Sequence, residues 1–212
     1  FLKGLKRHIF LIISVFCMGL NLYMYQSEKV FTPLLAIALV LIFRKELFSL
    51  PKKILFLAFV IGLVVSFPLL FETATNTQVL ARAQGVSVFS DATPLLEESA
   101  RKLQESREKG DVLGIIFNNR RIVYFKTVLS GYFSHFNLNW LFLNGDIARH
   151  HAPGMGLLYL WELLFLLVGI YFFLFGPFDR KVKYLLFSWF LLAPVPASIT
   201  SGVPHAVRTL NF

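Results

Sequence analysis

Five uninterrupted apolar runs, at residues 9–25, 30–43, 54–71, 155–175 and 184–199, decide most of what this chain can fold into. A soluble domain of 212 residues could bury a full core without gathering its Phe and Leu into continuous blocks, yet here 56% of residues are hydrophobic and 24 are Phe. A helix that crosses a bilayer needs roughly 17–25 residues. The first, third and fourth runs reach or approach that length. The fifth is marginal and carries Pro194 and Pro196; the second is short, and its Pro33 is expected in the first turn, where proline is tolerated. The expectation is an all-α membrane protein of about five transmembrane helices forming one membrane domain. Three helices fall within 1–71 and two within 154–212, with a largely helical extracytoplasmic loop at 72–153.

The net charge of +9 would suit a nucleic-acid binder, but its distribution argues against that partner. Lys3, Lys6 and Arg7 precede the first run; Arg44, Lys45, Lys52 and Lys53 separate the second and third; Arg180, Lys181 and Lys183 separate the fourth and fifth. These ten cations face only Glu46 and Asp179, whereas residues 72–153 hold nine Lys/Arg against eight Asp/Glu. Such a one-sided excess of Lys and Arg orients a membrane protein with its cations in the cytoplasm. The same bias implies that run two crosses, since a re-entrant hairpin, the alternative, would put residues 44–53 outside. The N-terminus is therefore expected inside, with 72–153 and 201–212 outside. The single cysteine, Cys17, excludes a disulfide framework and a thiol metal site, and reads as a small packing residue.

Within the outer segment, residues 93–110 read as a soluble helix. Thr93 is a capping residue, Pro94 suits the first turn, and Glu97 and Glu98 favour the positive helix end, with Gly110 as the stop. Glu97/Arg101, Glu98/Lys102 and Glu105/Lys109 stand at ion-pairing spacing on a solvated face. The stretch 86–89 reads as extended. Residues 119–143 mix Arg120, Arg121 and Lys126 with aromatic and aliphatic residues, the pattern of interfacial amphipathic helices; Gly131 is a candidate bend between two such pieces.

Two polar clusters flank the last apolar runs. Asp146, Arg149, His150 and His151 precede run four, and His205 and Arg208 follow run five. Guanidinium and imidazolium groups donate charge-assisted hydrogen bonds to phosphate, so all six residues are candidate substrate- or phosphate-binding groups. Asp146 with one histidine leaves a divalent metal open, although neighbouring histidines rarely share one ion; no other cofactor is read from the sequence. Glu162, read as lying inside run four, is a further candidate because an ionisable group within a span is functional by default. The prolines at 194, 196 and 204 break the helix near the membrane exit. That is tolerated mainly where freed backbone lines a cavity. Ser87, Ser90 and Asp91 lack a nearby base and make no hydrolase triad, and phosphate-cradling glycine loops and dinucleotide fingerprints are absent.

The tract Tyr132-Phe133-Ser134-His135-Phe136-Asn137-Leu138-Asn139-Trp140-Leu141-Phe142-Leu143-Asn144-Gly145-Asp146, then Arg149-His150 and Pro153-Gly154-Met155-Gly156, with the tail Pro204-His205-Ala206-Val207-Arg208, carries a resemblance. It resembles the outer-loop-to-helix region of bacterial polytopic glycosyltransferases of the GT-C superfamily, related to protein O-mannosyltransferases and aminoarabinose transferases. The resemblance implies an enzyme of the bacterial inner membrane that takes a sugar from a polyprenyl-phosphate carrier at the extracytoplasmic face. Such enzymes keep a catalytic acid in their first outer loop. Here only residues 26–29 join the first two runs, so the resemblance assigns the catalytic role to no residue, and the chain is expected to be a fragment lacking the N-terminal part. The alternatives are a transporter or flippase for a lipid-linked or anionic solute, and a non-catalytic membrane scaffold. Transporters favour mid-membrane sites and internal repeats, which this sequence lacks.

Overall fold

The computed structural model describes residues 1–76, 81, 85–90, 93–146, 152 and 154–209. In chain order its helices are α1 (His8–Asn21), α2 (Glu28–Ile42), α3 (Arg44–Phe48), α4 (Lys52–Thr75), α5 (Thr93–Glu108), α6 (Val112–Phe117), α7 (Arg120–Ser134), α8 (Glu162–Phe175), α9 (Arg180–Leu192) and α10 (Val195–Ser198). Short 3₁₀ turns at Leu2–Leu5 and Val207–Thr209 and a π turn at Trp140–Asn144 complete them. The described residues contain no strand, only a lone antiparallel bridge between Ser87 and Thr200, so the class is all-α. The chain forms two compact units. One comprises Phe1–Leu80, Trp161–Pro196 and Arg208–Phe212; the other comprises Ala81–Leu160 and Ala197–Val207.

In the first unit α1 packs along α4 and α2 along α9. Phe31, Leu35 and Leu39 recur at four-residue spacing and so share one face of α2. With Leu11, Phe43, Leu47 and Ala193 they form the buried core. The Phe31 ring meets Trp189 edge-on at 5.4 Å. At one end Phe1 lies edge-on to Phe43 at 5.6 Å, and Lys181 pairs with Glu46 while its ammonium stands 5.7 Å from the Phe43 ring. Asp179 caps α9 there, accepting the Lys181 N–H at 2.7 Å. The three cationic stretches of the sequence are thus gathered at a common end of this unit. Toward the opposite ends of α1 and α2, the buried Glu28 carboxylate accepts from Asn21 and from the Thr32 hydroxyl, the latter at 3.0 Å.

Only α4 among the described helices is long and apolar enough to cross a bilayer, with 24 residues and a mean hydropathy of 2.8 over its best window. Helices α1 and α8 are apolar but have 14 residues each, about 21 Å at 1.5 Å per residue. Run four therefore departs from the expectation of a helix starting near residue 155. Its first part is held out of helix because the Leu158 N–H donates to Leu141 O at 2.8 Å, and α8 begins only at Glu162. Glu162 consequently sits in the first helical turn, where the helix dipole favours an acid, and not deep in a span. Pro33 likewise falls inside α2 rather than in its first turn, because the helix starts at Glu28. Cys17, expected to pack, is exposed.

The second unit is built from short amphipathic helices. α5 packs on α6 through small polar side chains: the Ser99 hydroxyl donates to Asn118 O at 2.7 Å, and Ser106 is buried beside Gly114. Gly110, at φ +66°, ends this helix, and the Asp111 N–H turns back to Ser106 O at 2.8 Å. On its outer face Lys102 bonds Glu98 and holds that carboxyl below its ordinary range. Arg101 reaches forward to Glu105. The capping side chain proposed at Thr93 lies outside the described atoms. α7 starts at Asn119, whose side chain accepts the Arg121 N–H at 3.0 Å, and continues unbroken through Gly131. That glycine is not a bend. A Cβ there would stand 3.1 Å from Ser198 O and from a Val203 methyl, so its smallness admits the returning 197–207 segment. The 86–89 stretch pairs with the same segment, Val88 N–H to Ile199 O at 3.1 Å and Ser201 N–H to Val86 O at 2.8 Å.

Candidate functional site

Residues 60 positions apart in sequence meet in the second unit. Past the π turn, Asp146 presents Oδ2 to the Ala206 N–H at 2.8 Å. One residue earlier, the His205 N–H points to Nε2 of His135 at 3.3 Å. The 204–206 segment is thus held by two consecutive backbone donors, one on a carboxylate and one on an imidazole, next to the cis Val203–Pro204 bond. The returning chain arrives here because Pro194 and Pro196 end the regular helix of run five at Leu192. Proline lacks the N–H that a continuing helix would use.

His135 was not among the residues that sequence reasoning selected. It is fully buried at 0% exposure near the end of α7. Its Nδ1 lies 2.7 Å from Gly131 O, and its ring meets the buried Trp140 edge-on at 5.5 Å. A carbonyl oxygen can only accept, so Nδ1 carries the proton and Nε2 is free to accept from His205. Burial pushes this imidazole below its ordinary pKa, against the opposing effect of its backbone hydrogen bonds. Burial likewise raises the Tyr132 phenol. The sequence signal was a lone histidine four residues after a glycine in an aromatic tract. The Trp140 indole N–H is buried with no hydrogen-bond partner among the described residues.

Of the residues selected from sequence, Asp146 and His205 are thereby brought together. His205 enters through its backbone and keeps its ring half-buried. Asp146 spends one oxygen on holding the 204–206 segment. Arg149, His150 and His151 lie outside the described residues. Arg208 is half-buried in the Val207–Thr209 turn. No group of three or more His, Cys, Asp or Glu capable of holding a metal ion occurs among the described residues. The outer face of α7 carries Phe125, Leu129 and Phe133, all exposed and spaced four residues apart, so they form one apolar stripe. Lys126 lies over the Phe117 ring at 4.6 Å beside it.

The fold defines an all-α protein with a polar crossing of two remote segments in its second unit. No protein-family model, curated protein or solved structure matches the chain.

Proposed function

We propose that this chain is part of a membrane glycosyltransferase that moves a sugar from a polyprenyl-phosphate carrier to an acceptor at the extracytoplasmic face of a bacterial inner membrane. The observation that carries the reading is the Asp146–Ala206 bond, which joins the two sequence clusters suited to phosphate. Asp146 and His205 frame the site, and Arg149, His150 and His151 are its proposed cationic donors; Arg208 is proposed as a phosphate-binding group in its own right. Their role is to meet the charge of the departing carrier phosphate, which pre-placed donors stabilise.

Several features support a membrane setting with five crossings and a cytoplasmic N-terminus. The cationic stretches gather at one end of the first unit. Helix α8 exposes large apolar side chains around its circumference, Leu164, Phe165, Leu167, Tyr171 and Phe175 among them. A helix that is apolar all round needs apolar surroundings. The exposed stripe on α7, with its neighbouring cations, suits the bilayer surface.

A transporter or flippase is the second reading, favoured by one observation. The first unit holds a cavity of about 870 Å³ lined by Phe31, Leu35 and Trp189 together with Asn21, Glu28 and Thr32. A buried acid beside an apolar cavity is the kind of feature that transport pathways use.

Binding separates the readings. A polyprenyl phosphate should bind the full chain in lipid nanodiscs, and Arg149→Ala and His150→Ala should weaken it while Glu28→Gln leaves it unchanged. Sensitivity confined to Glu28→Gln would favour the transporter.

A further inference from the structure

The His135 ring offers one proton and one lone pair, and both are committed. Nδ1–H donates to Gly131 O within α7, and Nε2 accepts the His205 N–H from the returning segment. A second proton could only go on Nε2, where it would point at the backbone N–H it now accepts. The bond would become a contact between two donors inside a fully buried pocket. The ring meets Trp140 edge-on, and the neighbouring Ala206 N–H donates to Asp146 Oδ2. The ionisable groups on the elements packed around the ring are Tyr132 on its own helix, the His205 side chain and Asp146. Burial keeps Tyr132 protonated and neutral well above neutral pH.

We infer that His135 is a positioning residue that latches the 204–206 segment in its neutral form and releases it when doubly protonated. Through the His205 N–H it sets where His205 and Ala206 stand relative to Asp146. Only the consequence for phosphate binding rests on the proposed function, since the latch is defined by the hydrogen bonds alone. Burial that lowers the folded-state pKa means the unfolded or unlatched chain binds more protons below the ordinary imidazole value. Latching is therefore complete above about pH 6.5 and weakens as pH falls below it. A released latch would also free the pairing of Val86 and Val88 with 199–201, because that pairing is made by the same returning segment.

The test is backbone hydrogen exchange of the 197–207 peptide in the full chain in nanodiscs, corrected for intrinsic pH dependence, at about pH 7.5 and about pH 5.0, which bracket the ordinary imidazole pKa. Protection should fall about tenfold for each pH unit below about 6.5 until the latched pKa is reached. His135→Gln keeps an acceptor without a titrating proton and should stay protected at both pH values. His135→Phe fills the volume without an acceptor and should be unprotected at both. The wild-type comparison stands even if a variant fails to fold. Equal wild-type protection at both pH values, or an acid loss that persists in His135→Gln, overturns the latch. Polyprenyl phosphate binding on the same samples separates the two ideas. Acid-sensitive exchange without any binding leaves the latch intact and removes the phosphate-site reading.

Discussion

At the residue scale the second unit turns on a few polar atoms with fixed partners. Asp146→Ala removes the acceptor of the Ala206 N–H, and an unsatisfied buried donor costs about 1–3 kcal/mol. The expected result is loss of exchange protection at 206 and a lower denaturation midpoint, with Asp146→Asn retaining much of both because its amide oxygen still accepts. Equal behaviour of the two variants would mean that the carboxylate charge, not the hydrogen bond, matters. Arg208 belongs to the proposed phosphate donors. A charged hydrogen bond is worth about 1.5–3 kcal/mol, so Arg208→Ala should weaken polyprenyl phosphate binding by roughly one to two powers of ten. Arg208→Lys should recover only part of it, since a point charge does not reproduce the guanidinium fork. Titration calorimetry of folded wild type and variants measures this, and an unchanged affinity would reduce Arg208 to a surface anchor.

At the element scale close packing depends on glycine where backbone meets backbone. A Cβ on Gly156 would stand 2.4 Å from Leu141 O and from the Phe142 carbonyl carbon of the π turn. Neither atom can move aside as a flexible side chain would. Gly156→Ala should destabilise the second unit by about 1–3 kcal/mol, the usual scale of overpacking, more than Gly131→Ala, whose 3.1 Å contacts can relax. Thermal unfolding of the two variants ranks them. The α7 stripe makes a different prediction. Replacing Phe125 and Leu129 by Glu leaves buried contacts untouched, because both are exposed, yet should reduce insertion of the α7 region into anionic vesicles, followed by quenching of a probe on that helix. Unaltered quenching would leave the stripe without a lipid partner.

At the scale of the whole chain the testable quantity is sidedness. In a Cys17→Ser background, cysteines at Glu97 and at Arg208 should react with an impermeant thiol reagent from outside intact cells, and one at Lys45 should not. Labelling at Lys45 would overturn the proposed orientation. The pairing of Lys181 with Glu46 and the packing of Phe1 on Phe43 imply that residues 1, 45 and 181 share their accessibility, so a cysteine at Lys181 should follow Lys45.

Much of the helical framework was legible because it follows from local pattern. The Gly110 stop and the prolines after α9 act within a few residues of themselves, and sequence alone carries such information. The same applies to the charge bias, which needs only counting. Tertiary structure alone decided where run four becomes helical, since the bond from Leu158 to Leu141 competes with helix formation and no local rule contains it. It also decided the use of Gly131, which looked like a hinge and proved to be a contact surface. The meeting of Asp146 with residue 206 was suggested by charge type but fixed by backbone donors, which are identical at every position and invisible in composition. His135 was missed for the same reason: a histidine's role depends on which acceptor and which donor face its two nitrogens, and only the folded chain brings Gly131 O to one and the His205 N–H to the other.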